Sequence, residues 1–199
     1  DLTEHLDSQM YELAYVNIPL YNTSTFVFAS DDQKAEMLQL AQQAATAANL
    51  MDYENVEDQV SALHAAAQSA LPDIYAVLDA TPSDDASSVQ TELLTESDLT
   101  STFTQDGAAD AVRGLVYGEA AAVQYNGYSA ILMMRIDPLQ VSTLDALRSQ
   151  ILSDMKGEEL DDALAAYGAQ MTSTLSSSAM GKLPAAKIVN DTSANSANS

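Results

Sequence analysis

The 199-residue chain has no cysteine and no tryptophan, and only seven Lys and Arg stand against 29 Asp and Glu. The missing cysteine removes disulfides, thiolate catalysis and zinc-finger chemistry together. The shortage of cations argues against a nucleic-acid partner, since phosphates are held by Lys and Arg and the net charge here is −22. The same charge opposes docking on anionic membranes. No run of about 18 apolar residues occurs, so nothing reads as a membrane span. The opening residues also lack the charged-then-apolar pattern of a secretory leader. A membrane link would therefore come only through an anchor upstream of this chain. Low aromatic content (6%) and the lack of Trp disfavour a sugar cleft.

What is present is enough apolar material, 47% of residues, to bury a core in one large domain or a domain with an appendage. The segment Val112–Pro138 organises the rest. It predicts a helix end, a turn at Gly118-Glu119, a brief strand, a turn at Asn126-Gly127 and a long strand over Tyr128–Ile136. That strand is apolar on both faces and belongs at the covered centre of a sheet. Asn-Gly between two strand-like runs predicts a hairpin, because both residues tolerate positive φ.

Upstream, residues 1–13 read as a short polar helix or linker. Tyr15–Tyr21 alternates, with Val16, Ile18 and Leu20 on one face and Tyr15, Asn17 and Tyr21 on the other. Pro19 there implies an edge strand or a bulge. Ser30-Asp31-Asp32-Gln33 is a capping box opening a helix to about Asn49. A second helix is predicted over Tyr53–Ala70, and Pro72 opens a third, short one through Leu78. Val89–Thr95 is a short strand, followed by a polar turn, Phe103, and a helix over Gln105–Leu115. A long helix follows from about Thr143 to Gln170. Its predicted buried side is Leu144, Leu147, Ile151, Met155, Leu160, Leu164 and Tyr167. The Ser/Asn/Ala-rich end, DTSANSANS, reads as disordered and leans toward a secreted or surface protein.

This order resembles parvulin-type peptidyl-prolyl isomerases and the extracytoplasmic foldases that contain them. Leu115, Gly118-Glu119, Val123 and Gly127-Tyr128-Ser129-Ala130-Ile131 are similar to that family's helix end, Gly-Glu turn, short strand and closing Gly-Tyr strand. Leu147-Arg148-Ser149-Gln150-Ile151 is similar to the helix that trails the isomerase domain. The resemblance implies an α+β fold, a small antiparallel sheet wrapped by helices with a long C-terminal helix. The implied organisation is a linker or the end of an upstream helical segment at 1–13 and a parvulin-like domain at 14–138, its helical region enlarged at about 52–80. A C-terminal helix at 139–171 and a low-order tail at 172–199 complete it.

The family's two histidine positions map onto Asn17 and Ser129, so the catalytic site is expected to be degenerate. The proline pocket's apolar residue and the Phe four residues on map onto Leu99 and Phe103, the expected substrate-binding residues. The Gly-Gly-Asp-Leu-Gly stretch before the family's second strand is missing, and Thr91-Glu92-Leu93-Leu94 stands in its place. No counterpart of the family's acidic or Cys site residue is evident. Prolyl isomerisation needs neither nucleophile nor metal, and no cofactor is expected. The implied function is an extracytoplasmic foldase or chaperone binding extended, proline-containing segments of secreted proteins, with isomerase activity weak or lost. The alternatives are a non-catalytic module on the same scaffold for one dedicated protein partner, and a small α+β surface protein unrelated to foldases. Leu99 and Phe103 also fit simple core contacts, and Asn17 a solvated strand residue.

His5 and His64 lie in unrelated elements and make no metal pair. The acidic clusters Asp52/Glu54/Glu57/Asp58 and Glu158/Glu159/Asp161/Asp162 lack Ca²⁺-loop spacing and read as solvated helix faces.

Overall fold

Two strands rich in apolar residues, β1 (Met10–Pro19) and β4 (Ser129–Arg135), lie side by side at the centre of a four-stranded antiparallel sheet. β2 (Gln90–Thr95) flanks β1 and β3 (Ala120–Gln124) flanks β4, giving the order β2-β1-β4-β3. The computed structural model describes residues 2–170. They fall in two compact units that divide between Met155 and Lys156. The helices are α1 (Leu2–Gln9), α2 (Asp31–Ala48), α3 (Val56–Ala76), α4 (Glu96–Thr102), α5 (Ala108–Gly114), α6 (Pro138–Val141) and α7 (Leu144–Gln170). The fold is thus mixed, with helices packed on a small antiparallel sheet. The tail expected at 172–199 lies outside the described residues.

Alternation along β1 sorts side chains between two layers. Ala14, Val16 and Ile18, with Ala130, Leu132 and Met134 of β4, face α2 and α3. Those helices meet the sheet through small buried residues, Ala41, Ala44, Ala45, Ala48 and Ala67, which let helix and sheet approach closely. Leu13, Ile131 and Met133 face the other way, toward Leu99 and Phe103 at α4 and Val112 and Leu115 at α5. A third, smaller cluster joins Leu6 of α1, Met10 and Ile151 of α7.

Several expectations need correction. β1 begins at Met10, not Tyr15, and is an interior strand of the sheet rather than an edge. Pro19 is tolerated because it is the last residue of the strand, opposite Ser129. The predicted break at Pro72 does not occur: α3 runs through it. Leu63, Ala67, Leu71, Ile74 and Tyr75 form one buried stripe across the proline. Burial of that stripe outweighs the roughly 3 kcal/mol that an interior proline costs. The polar turn after Thr95 is helix α4, opened by a capping box in which Thr95 and Asp98 bond each other's backbone N–H.

The Asn126-Gly127 turn does close a hairpin, but neither residue has positive φ. Tyr125 N–H and Asn126 N–H both donate to the Ser129 carbonyl, and the Asn126 side chain accepts from Tyr128 N–H at 2.9 Å. The chain is turned by an asparagine side chain, not by a left-handed backbone. At the other landmark Gly118 is required: φ is 82°, and a Cβ would lie 3.1 Å from Gln59 Nε2. Gly118 N–H donates to the Arg135 carbonyl and Arg135 N–H to that of Glu119, which seats this turn at the end of β4. In α7 Ile151 is buried and Leu144, Leu147 and Met155 half-buried, whereas Leu160, Leu164 and Tyr167 are exposed. The predicted apolar side therefore ends near Met155. No helix among the described residues is long and apolar enough to cross a membrane.

Candidate functional site

The sheet face under α4 and α5 is incompletely covered, because each of these helices has only seven residues. The gap is a small crevice of about 70 Å³, open to solvent. Leu13, Leu94 and Ile131 line it from the sheet, and Thr102 and Phe103 from the end of α4. Tyr15, Glu92 and Tyr125 complete its lining. That is well below the roughly 300–1,000 Å³ of a drug-sized ligand site, so the crevice suits at most one ring or side chain.

Local structure places each wall. α4 stops at Thr102, and Phe103 leaves the helical conformation while its N–H still donates to the Leu99 carbonyl at 2.9 Å. Two residues on, Gln105 N–H donates to the Tyr125 carbonyl, tying this loop to the chain just past β3. The Phe103 and Tyr125 rings consequently pack at 5.7 Å and 51°. Leu13 pairs with Glu92 across β1 and β2, which puts Tyr15 diagonal to Glu92 on the same face. The Tyr15 hydroxyl donates to Glu92 Oε2 at 3.3 Å. Burial, then the Glu92 charge and this hydrogen bond, push the Tyr15 phenol above its ordinary value. It stays protonated at any physiological pH. Across the crevice the Tyr125 hydroxyl donates to Asn17 Oδ1 at 3.3 Å.

The arrangement is an apolar slot with an aromatic wall and two hydrogen-bonded polar pairs, Tyr15–Glu92 and Tyr125–Asn17. Glu92 is the one charged group in its lining. An apolar slot edged by hydrogen-bonded hydroxyls suits binding of an apolar ring beside peptide polar groups.

The four residues singled out from sequence separate into different roles. Phe103 lines the crevice. Leu99 does not: it is fully buried in the core cluster that also holds Phe103, out of reach of any ligand in the crevice. Asn17 is exposed on the crevice face of β1 and enters through its bond to Tyr125. Ser129 shares that face by register but is not in the lining, and its carbonyl closes the neighbouring turn. Sequence reasoning missed Tyr15, Glu92 and Tyr125. Alternation along β1 puts Tyr15 beside Asn17, but Glu92 becomes visible only through the register with β2.

The histidines are structural. His5 Nε2 lies 2.7 Å from Asp154 Oδ2, joining α1 to α7, and His64 Nδ1 lies 2.8 Å from the Ser87 carbonyl. Among the described residues no three His, Cys, Asp or Glu side chains gather into a metal-holding group. In the first acidic cluster, Asn55 caps α3 by accepting from Asp58 N–H, and Asp58 accepts from Glu54 N–H. No family model matches the chain, and neither the curated proteins nor the solved structures contain a match to it.

Proposed function

We propose that the chain is an extracytoplasmic, parvulin-like foldase or chaperone that binds extended, proline-containing segments of secreted proteins, with isomerase activity weak or lost. The observation that carries this reading is the crevice beside Phe103, an apolar slot in a sheet whose element order is strand, helices, strand, helices, strand, strand. A prolyl ring is apolar and its nitrogen carries no hydrogen, so it asks of a pocket only apolar walls. Leu13, Leu94, Ile131 and Phe103 provide them. The Ser/Asn-rich end and the resemblance support the extracytoplasmic setting.

Catalysis asks for more. The barrier of about 18–20 kcal/mol arises from amide resonance, and lowering it requires groups that favour the twisted amide over the planar one. Here the two tyrosine hydroxyls that border the slot are already engaged, Tyr15 with Glu92 and Tyr125 with Asn17. Breaking those pairs for a substrate offsets what the new contacts contribute, so binding outlasts catalysis.

Exchange NMR on a panel of Xaa-Pro peptides, with and without the protein, tests this. The expected result is peptide shifts that saturate, little acceleration of cis/trans exchange, and loss of both in Phe103→Ala. Binding of one peptide sequence alone would favour the dedicated-partner module instead. No shift with any proline peptide would remove the foldase reading.

A further inference from the structure

Away from the crevice, Tyr21, Phe26 and Phe28 of the loop after β1 meet Tyr128 of the β3–β4 turn. Tyr21 lies 6.3 Å from Phe26, nearly parallel, and 5.8 Å from Phe28, which lies 6.0 Å from Tyr128. These rings face water: Phe26 is 73% exposed, Phe28 60% and Tyr128 59%. Single exposed apolar residues are ordinary, but a contiguous set of packed rings is not.

The loop that carries them is firmly built. Asn22 Oδ1 accepts from Ser24 and Thr25 N–H at 3.0 Å each, and Asn22 Nδ2 donates to the Leu78 carbonyl at 2.9 Å. Asn22 and Val27 close it through a backbone bond of 2.9 Å, and Leu20 N–H reaches the Tyr128 carbonyl at 2.7 Å. Within it Phe26 is held at φ 57°, a left-handed conformation that a bulky residue rarely adopts. A backbone conformation disfavoured for Phe is thus held in place, and strain of this kind clusters at active sites, ligand clamps and switch regions.

The partner's charge follows from the surroundings. Exposed Asp31 and Asp32 open α2 three residues beyond Phe28, and exposed Asp79 follows the Leu78 that anchors Asn22. Lys34 is the nearby cation, and it reaches Asp31 at 3.5 Å. Ring faces beside an excess of carboxylates attract guanidinium and ammonium groups. The chain uses the same pairing internally, where Arg135 sits 5.0 Å from the Tyr11 ring and 5.1 Å from that of Tyr117. A net charge of −22 opposes both a second copy of the chain and an anionic lipid surface.

We propose that this aromatic shelf docks an extended, arginine- or lysine-bearing segment of a client polypeptide. The inference rests on the preceding reading only for calling that polypeptide a client, because the shelf and the crevice are separate sets of residues.

The test is fluorescence anisotropy with three labelled peptides of alternating composition, Arg-Pro, Gln-Pro and Glu-Pro. On the wild-type chain the Arg-Pro peptide is expected to bind about tenfold tighter than Gln-Pro, with Glu-Pro weakest. Phe28→Ser/Tyr128→Ser, which leaves every charge in place, removes that preference and keeps Gln-Pro binding. Phe103→Ala does the reverse. An Arg-Pro preference untouched by the double variant would assign it to overall acidity and overturn the proposal, as would equal binding of Arg-Pro and Gln-Pro by the wild type. Dimerisation lost in the double variant, or shelf-dependent flotation with phosphatidylcholine vesicles, would replace the client with a second copy or a lipid surface. If Gln-Pro fails to bind while the shelf-dependent Arg-Pro binding persists, the crevice reading falls and the shelf stands.

Discussion

The two faces of the sheet are built from neighbouring residues of the same strands, yet they differ in how they are covered. On one, α2 and α3, of 18 and 21 residues, lie along β1, β3 and β4 and seal them with alanines and a few large side chains. On the other, two seven-residue helices cover part of the surface and leave the crevice between Phe103, Tyr15 and Tyr125. Chain length spent on helices sets coverage, and coverage separates a face that stabilises from one able to receive a ligand. Substitutions on the sealed face should cost stability, and those on the open face should cost binding.

The largest effect is expected on the sealed face. Leu63 of α3 is completely buried, and Leu63→Ala should destabilise by about 2–5 kcal/mol. For a domain of this size a loss of about 3 kcal/mol lowers Tm by roughly 6–12 °C, measurable by calorimetry. A shift of one or two degrees would mean that this face is no better packed than the other.

Next comes a flaw in the sealed face itself. Glu12, 6% exposed, sits on the same side of β1 as Met10 and Ala14. Burial first, and the Glu92 charge second, push it up from 4.5 to about 7. The folded state then holds this proton more tightly than the unfolded chain. The associated stability is complete below about pH 4.5 and is lost as pH rises through about 7, amounting to about 3 kcal/mol for such a shift. Glu12→Gln should therefore match the wild type near pH 4 and exceed it at pH 8 by up to about 3 kcal/mol in urea unfolding. A stability difference that stays flat from pH 4 to 8 would show that the carboxylate is solvated in the folded state.

The smallest effect on stability belongs to the open face. Tyr15→Phe removes one hydroxyl that bonds an exposed carboxylate, so unfolding should change by less than about 1 kcal/mol. Binding of Xaa-Pro peptides, by contrast, should weaken between about two- and tenfold. A large stability loss without a binding change would erase the distinction between the faces.

Much of the local structure was legible in the residues. The Ser30–Gln33 capping box forms as its spacing predicts, the alternation of β1 sorts its faces, and the apolar run of β4 is indeed an interior strand. The capping box of α4 was present too, as Thr95 and Asp98, but an aspartate at its third position was harder to see than Glu or Gln. For the candidate site, Leu99 and Phe103 entered only through the family resemblance, and their spacing could not tell which of the two lines a crevice and which the core.

Residues close in sequence settle where α2 starts, which residues of β1 share a face, and the charge that any partner must tolerate. These follow from short-range hydrogen bonds, side-chain alternation and composition, all readable within a few residues. Packing between distant segments settles that α3 continues through Pro72 and that Tyr15, Glu92, Phe103 and Tyr125 border one slot. Those outcomes depend on the β1–β2 register and on which buried stripe outweighs a local penalty. Both are balances between residues far apart in the chain, on which local spacing has no purchase.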